Sequence, residues 1–256
     1  MKYAASAWPC WRIILWLTCA VAAIQTIADF TIRPGLLDEA LALDGPLFWE
    51  GEVWRVLTYS LLHGSPGDIL LRAIHLGFNM MALVFFGREI ERIMGPRWFF
   101  AVYIAGAFAG GLAHVVFGPS HAWIVGASGA VCALIFAFTT LRPDQALTVL
   151  LFLVIPWRLQ ARYLAWFFVG LSVTCIVFGL WPEMGHVAHL GGSAAGFGLA
   201  WWWGKGRGLF DALRYSPAAI NAVIAKVEHH GIHSLTRRER RLLEQNARPA
   251  APSARR

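Results

Sequence analysis

Six apolar runs, at about residues 12–29, 70–87, 98–117, 123–141, 163–181 and 187–203, constrain this chain more than any other feature. A helix needs about 20 apolar residues to cross the hydrocarbon layer of a bilayer. Most of the runs reach or approach that length, and they are too many for one water-surrounded core. Inside lipid every backbone polar group must be satisfied within the fold, so runs of this length read as helices. Composition agrees: 57% of the 256 residues are hydrophobic and 14% are charged, against about 25% charged in soluble domains. The expected fold is an all-α polytopic membrane protein of six spanning helices, with five or seven left open.

Residues 30–69, between the first two runs, are too polar to cross and are rich in Trp, Pro and Gly. The apolar stretch 146–155 is too short to span and is stopped by Pro156, with Arg158 and Arg162 beyond. It reads as an interfacial segment leading into the fifth helix. With a cytoplasmic N-terminus, Lys2, Arg12, Arg88, Arg92, Arg97, Arg142, Arg158, Arg162 and a basic tail fall inside. Only Arg33, Arg55 and Arg72 fall outside, and the loops 118–122 and 182–186 carry no Lys or Arg. The positive-inside bias therefore puts both termini in the cytoplasm. The same bias accounts for the net charge of +7 without any nucleic-acid partner. Lys2 and Arg12 ahead of the first run also suit a signal peptide, but the run is long for one, and a retained helix is the better reading.

Three regions result: a cytoplasmic N-terminus (1–11), a membrane domain (12–203) and a basic tail (204–256). In the tail Ile220, Val223, Ile224 and Val227 recur at helical spacing. Ser234 and Glu239, followed by Leu242 and Leu243, suggest a second short helix, and residues 249–256 suit disorder. Cys10, Cys19, Cys132 and Cys175 are widely spaced, with no pattern for a disulfide framework or a structural metal; Cys10 could carry a lipid.

Polar side chains within spans are costly and mark candidate sites. Intramembrane acids are nearly absent, and no HExxH motif occurs, which argues against zinc and aspartyl proteases and against acid-driven transport. His, Asn and Ser remain. Ser128, in Gly126-Ala127-Ser128-Gly129, stands near a helix start, where free amides can meet an oxyanion and small neighbours such as Gly126 leave room for a substrate backbone. Small-residue clusters are also ordinary packing surfaces. His189 lies on the same face as Gly192 and Gly196, whose GxxxG spacing lets another helix approach closely. If that helix carries Ser128, the imidazole can take the serine proton and return it to a leaving amine, as a dyad without an acid. His75 and Asn79, at i and i+4, share a helix face as uncharged donors suited to an oxyanion hole or to interhelical bonds.

These residues resemble the rhomboid family in sequence and order: Gly126-Ala127-Ser128-Gly129 is similar to its GxSG, His75 to Asn79 to its HxxxN, and His189, Gly192 and Gly196 to its HxxGxxxG. Trp54-Arg55 and the stretch from Gly87 to Gly95 agree as well. The likeness covers about residues 10–203. It implies a six-helix rhomboid-like bundle cleaving peptide bonds in or near transmembrane segments of membrane-protein substrates; the alternative is a non-catalytic rhomboid-like protein that binds transmembrane helices, although such relatives typically lack the serine or the histidine. Ser128 would be the nucleophile and His189 the base. The Ser128 amide, His75 and Asn79 would form the oxyanion hole, and no cofactor or metal is implied. The expected location is a bacterial inner membrane. The tail resembles a short helical module appended to some bacterial rhomboids. The chain departs from the pattern in the longer interval between His63 and His75, in Cys132 where some members have a tyrosine stacked on the histidine, and in a second histidine, His186, one turn before His189. His114 and His121 match nothing in the pattern.

Overall fold

A computed structural model describes residues 9–119, 123–151, 155–181, 184–214, 217–236 and 239–240. The chain forms two compact units, Met1–Trp201 and Trp202–Arg256.

In the first unit α1 (Cys10–Thr31) opens after Pro9, and its first amides, those of Cys10 and Trp11, donate to the two carboxylate oxygens of Glu91, each at 3.0 Å. A carboxylate at a helix start satisfies orphan N–H groups and complements the dipole. Residues 30–69 fold into short helices: α2 (Leu36–Leu41), α3 (Gly45–Trp49), α4 (Arg55–Thr58) and a 3-10 turn, Tyr59–Leu61. Next, α5 (Ile69–Ala82) passes through one π turn, Leu83–Gly87, into α6 (Arg88–Met94). Gly95, at φ 91°, breaks the chain before α7 (Pro96–Phe117), whose proline opens the new helix without losing a bond.

Central to the bundle is α8 (Ser128–Leu141), with ten of its 14 residues buried. Its neighbours α7 and α10 (His186–Arg214) approach it backbone to backbone. A Cβ built on Gly192 would lie 2.1 Å from the Gly129 carbonyl oxygen, and one on Gly196 2.1 Å from that of Ala133. Gly106 of α7 meets Ala133 nearly as closely. Lipid gives helices no hydrophobic reason to associate, so close packing of small residues has to supply the attraction. The outward faces carry large apolar side chains instead, such as Trp16, Trp166 and Phe178.

Among the described residues four helical stretches are long and apolar enough to cross a membrane: Cys10–Thr31, Ile69–Met94, Pro96–Phe117 and Ala161–Phe178, the last being α9. This is a multi-pass membrane protein, and the two remaining apolar runs differ from these four. The run at 123–141 becomes a helix only from Ser128 and is shorter than a bilayer is thick. The run at 187–203 belongs to a 29-residue helix that continues to Arg214 but, with its Gly, His and Trp, is not among the four.

The expectation of an all-α fold fails at residues 146–160. There β1 (Ala146–Leu151) and β2 (Ile155–Gln160) form an antiparallel ribbon leading into α9, with Ala146 opposite Gln160 and Leu151 opposite Ile155. Val149 and Ile155 favour extended backbone, and Pro156 cannot continue a helix.

In the second unit α11 (Pro217–His230) ends at Gly231, φ +73°, and a turn comes next at Ile232–Ser234. Thr236, not Ser234, is the cap beyond that turn: Glu239 N–H donates to Thr236 Oγ1 (3.2 Å), and Thr236 N–H donates back to the Glu239 carboxylate (2.7 Å). This reciprocal pair is a capping box. Lys226, a second partner at 2.9 Å, and the Thr236 amide and hydroxyl hold the Glu239 carboxyl well below its usual range, at about 2. Leu242, Leu243 and residues 249–256 lie outside the described residues, as does His121.

Candidate active site

Ser128 is the first residue of α8, and the first intrahelical bond runs from the Val131 amide to the Ala127 carbonyl. The Ser128 and Gly129 amides therefore stand free of the helix ladder, at its positive end. Across the glycine seam, His189 sits in the first turn of α10, and its Nε2 lies 2.9 Å from Ser128 Oγ. The contact between Gly129, next to the serine, and Gly192, one turn beyond the histidine, sets this distance, because only hydrogen-sized side chains let the two backbones come so near. His186 does not take this position. Its ring packs edge-on against His189, with centroids 5.8 Å apart. Cys132 is buried one turn below the serine.

His75 reaches the same place from α5. The Gly64 amide donates to His75 Nδ1 at 3.3 Å, which leaves the proton of the neutral ring on Nε2. That nitrogen faces Gly126: a Cβ there would lie 2.7 Å from it. Gly126 also has φ +127°, a conformation that favours glycine. The room expected beside Gly126 is thus taken up by the His75 ring. Asn79 is buried on the same helix and spends one amide hydrogen on the His75 carbonyl, at 2.9 Å. The second hydrogen remains for another acceptor.

His63, to which no motif pointed, belongs to this cluster. It is fully buried, its Nε2 accepts from the Ala127 amide at 3.5 Å, and its ring lies 5.1 Å from that of His75. Behind it lies a polar network. Arg72 donates to the His63 carbonyl (3.0 Å), to Thr26 Oγ1 (3.0 Å) and to Asp29 (2.7 Å). Asp29 in turn accepts from the amides of Gly35 and Gly67, at 2.9 and 3.0 Å. Gln25 accepts from the His63 amide and donates to Asp38. Burial pushes the Asp38 carboxyl above its usual range, against the lowering effect of that Gln25 bond. The longer His63–His75 interval is absorbed by turns at Gly64 and Gly67 and by the first turn of α5, which lays Arg72 against the loop. A Cβ on Gly64 would lie 2.5 Å from Arg72 Cα. Among the described residues no group of three His, Cys, Asp or Glu side chains is placed to hold a metal ion.

Fold and site together define a multi-pass membrane protein with a serine and a histidine in contact where its central helices meet. The Rhomboid domain profile matches residues 50–206, more than half of the chain, and the protein belongs to the rhomboid family. It is 28% identical over 207 residues to the rhomboid protease GluP of Bacillus subtilis, an alignment covering 80% of this chain and 37% of that one. It is 31% identical over 154 residues to the rhomboid protease GlpG of Photorhabdus laumondii, covering 59% and 48%. A mitochondrial relative, Rhomboid protein 1 of Saccharomyces cerevisiae, is 31% identical over 142 residues, covering 51% and 38%. The chain thus spans less than half the length of these relatives.

Proposed function

We propose that this protein is an intramembrane serine endopeptidase that hydrolyses peptide bonds in or near transmembrane segments of other membrane proteins. The observation that carries the reading is the 2.9 Å approach of His189 Nε2 to Ser128 Oγ. As Ser128 attacks the scissile carbonyl, His189 takes the hydroxyl proton and passes it to the leaving amine. A water, deprotonated by the same nitrogen, then attacks the ester; the bond to Ser128 Oγ breaks, the serine recovers its proton from His189 and the acyl group leaves as a carboxylic acid. The oxyanion is met by the Ser128 amide, by His75 Nε2–H and by the second amide hydrogen of Asn79. Gly126, with no side chain of its own, admits the His75 ring beside the serine.

In this reading the chain crosses the membrane six times, α8 and α10 completing the set with the four longer stretches. The arginine distribution favours both termini on the cytoplasmic side of the membrane. A fluorophosphonate probe and a single-span model substrate test the proposal on protein reconstituted in liposomes. Ser128→Ala should abolish labelling, and both Ser128→Ala and His189→Ala should stop cleavage while leaving helicity intact. Ordinary turnover in either variant overturns the reading.

A further inference from the structure

At the end of α8 opposite Ser128, about 20 Å away at 1.5 Å per residue, a cleft of about 950 Å³ opens between the α5–α6 junction, the last turn of α8 and the start of β1. Its apolar wall includes Met81, Val84, Phe85 and Phe138, and its rim carries Arg88, Arg92 and Arg142 with a single acid, Glu89. Glu89 is paired with Arg92, and the nearby Asp144 is engaged by Arg162. The guanidinium groups of Arg88 and Arg142 have no ion-pair or hydrogen-bond partner among the described residues, and both are exposed. The cleft lies where the π turn Leu83–Gly87 widens the helix, and π turns often mark functional positions.

We propose that this cleft binds an anionic phospholipid, its phosphodiester held by Arg88 and Arg142 and one acyl chain laid along Met81, Val84 and Phe85. Arginine forks match phosphate oxygens in pairs, and basic pockets between helices at a membrane surface select acidic headgroups. A zwitterionic lipid brings an ammonium group toward two uncompensated cations. A free phosphate leaves the apolar wall exposed. Met81 and Phe85 are themselves more than half or half exposed (57% and 50%), on the face where acyl chains run. The inference rests on the membrane fold and not on the proposed protease activity, so either can fail alone.

Native mass spectrometry of the full chain, released from micelles holding equal phosphatidylglycerol and phosphatidylcholine, reads the occupant directly. One phosphatidylglycerol should be retained in preference to phosphatidylcholine, by on the order of tenfold. R88Q/R142Q should bring the ratio to parity, and Val84→Trp, which fills the wall without changing charge, should lower retention of both lipids. Arg33→Gln, which removes an exposed pair with Glu39 elsewhere, should change nothing. Circular dichroism checks that each variant is folded. Equal retention of the two lipids by the unaltered protein overturns the proposal, as does a preference that survives R88Q/R142Q. Undiminished retention in Val84→Trp, or displacement by inorganic phosphate, overturns the lipid in favour of a bare anion.

Discussion

The two walls of the candidate site are held by opposite means. On the Ser128–His189 side, α7, α8 and α10 meet through glycine and alanine, with backbone atoms in contact. On the His63–His75 side, α1, α2 and the loop before α5 are tied by Arg72, Asp29, Gln25 and Asp38. The contrast arises from the material of each side. Helices satisfy their own backbones, so they need only shape to fix their separation. The loop at residues 62–68 has no ladder of its own, and buried amides and carbonyls there must find side-chain partners. The first wall should therefore fail by added volume and the second by lost charge.

The largest effect is expected at the ion pair. Arg72→Met strands Asp29 as an unpaired buried charge and should cost about 3–5 kcal/mol, read as chaotrope unfolding in micelles. Adding Asp29→Leu should restore much of the loss; no recovery in the double variant would mean that the loop depends on the hydrogen bonds and not on charge balance. Next, Asn79→Ala should slow cleavage of the model substrate by on the order of 10–1000-fold without unfolding the protein. An unchanged rate would remove Asn79 from the proposed oxyanion hole. Gly196→Ala, forcing a methyl group against the Ala133 carbonyl, should cost about 1–3 kcal/mol. Gly198→Ala, on the same helix with open space beside it, should cost nothing. Equal costs at the two positions would break the account of the glycine seam.

The smallest effect is expected at a half-buried pair, Lys226–Glu239, a counterpoint to the fully buried Asp29–Arg72. The Glu239 carboxyl, held at about 2 by Lys226 and the Thr236 cap, is depressed from about 4.3. Its contribution to the tail should be complete above about pH 4.3 and fade as pH falls toward 2. A carboxyl-carbon NMR titration should show that midpoint, and Thr236→Ala should move it upward.

The glycine seam was legible because its spacing repeats along one helix: Gly192, Gly196 and His189 lie on one face, and the small residues around Ser128 offer that face a close partner. The polar wall was not. Asp29 and Arg72 stand 43 positions apart, and each looks like an ordinary charge at a membrane surface until the fold pairs them. His63 acts through a ring nitrogen on the Ala127 amide, 64 positions away, a relation no local pattern encodes. Residues 146–160 misled for a different reason: a short apolar run has no period long enough to separate strand from helix. Hydropathy also does not distinguish a helix facing lipid from one, like α8, surrounded by protein.

Gly126 carries a consequence for variants of this chain. Any β-carbon at that position would evict the His75 imidazole from its seat, whatever becomes of the serine and the second histidine. A form with alanine at 126 and an intact Ser128–His189 pair should still react with a phosphonate yet turn over substrate poorly, a dissociation that separates nucleophile activation from charge stabilisation in one substitution.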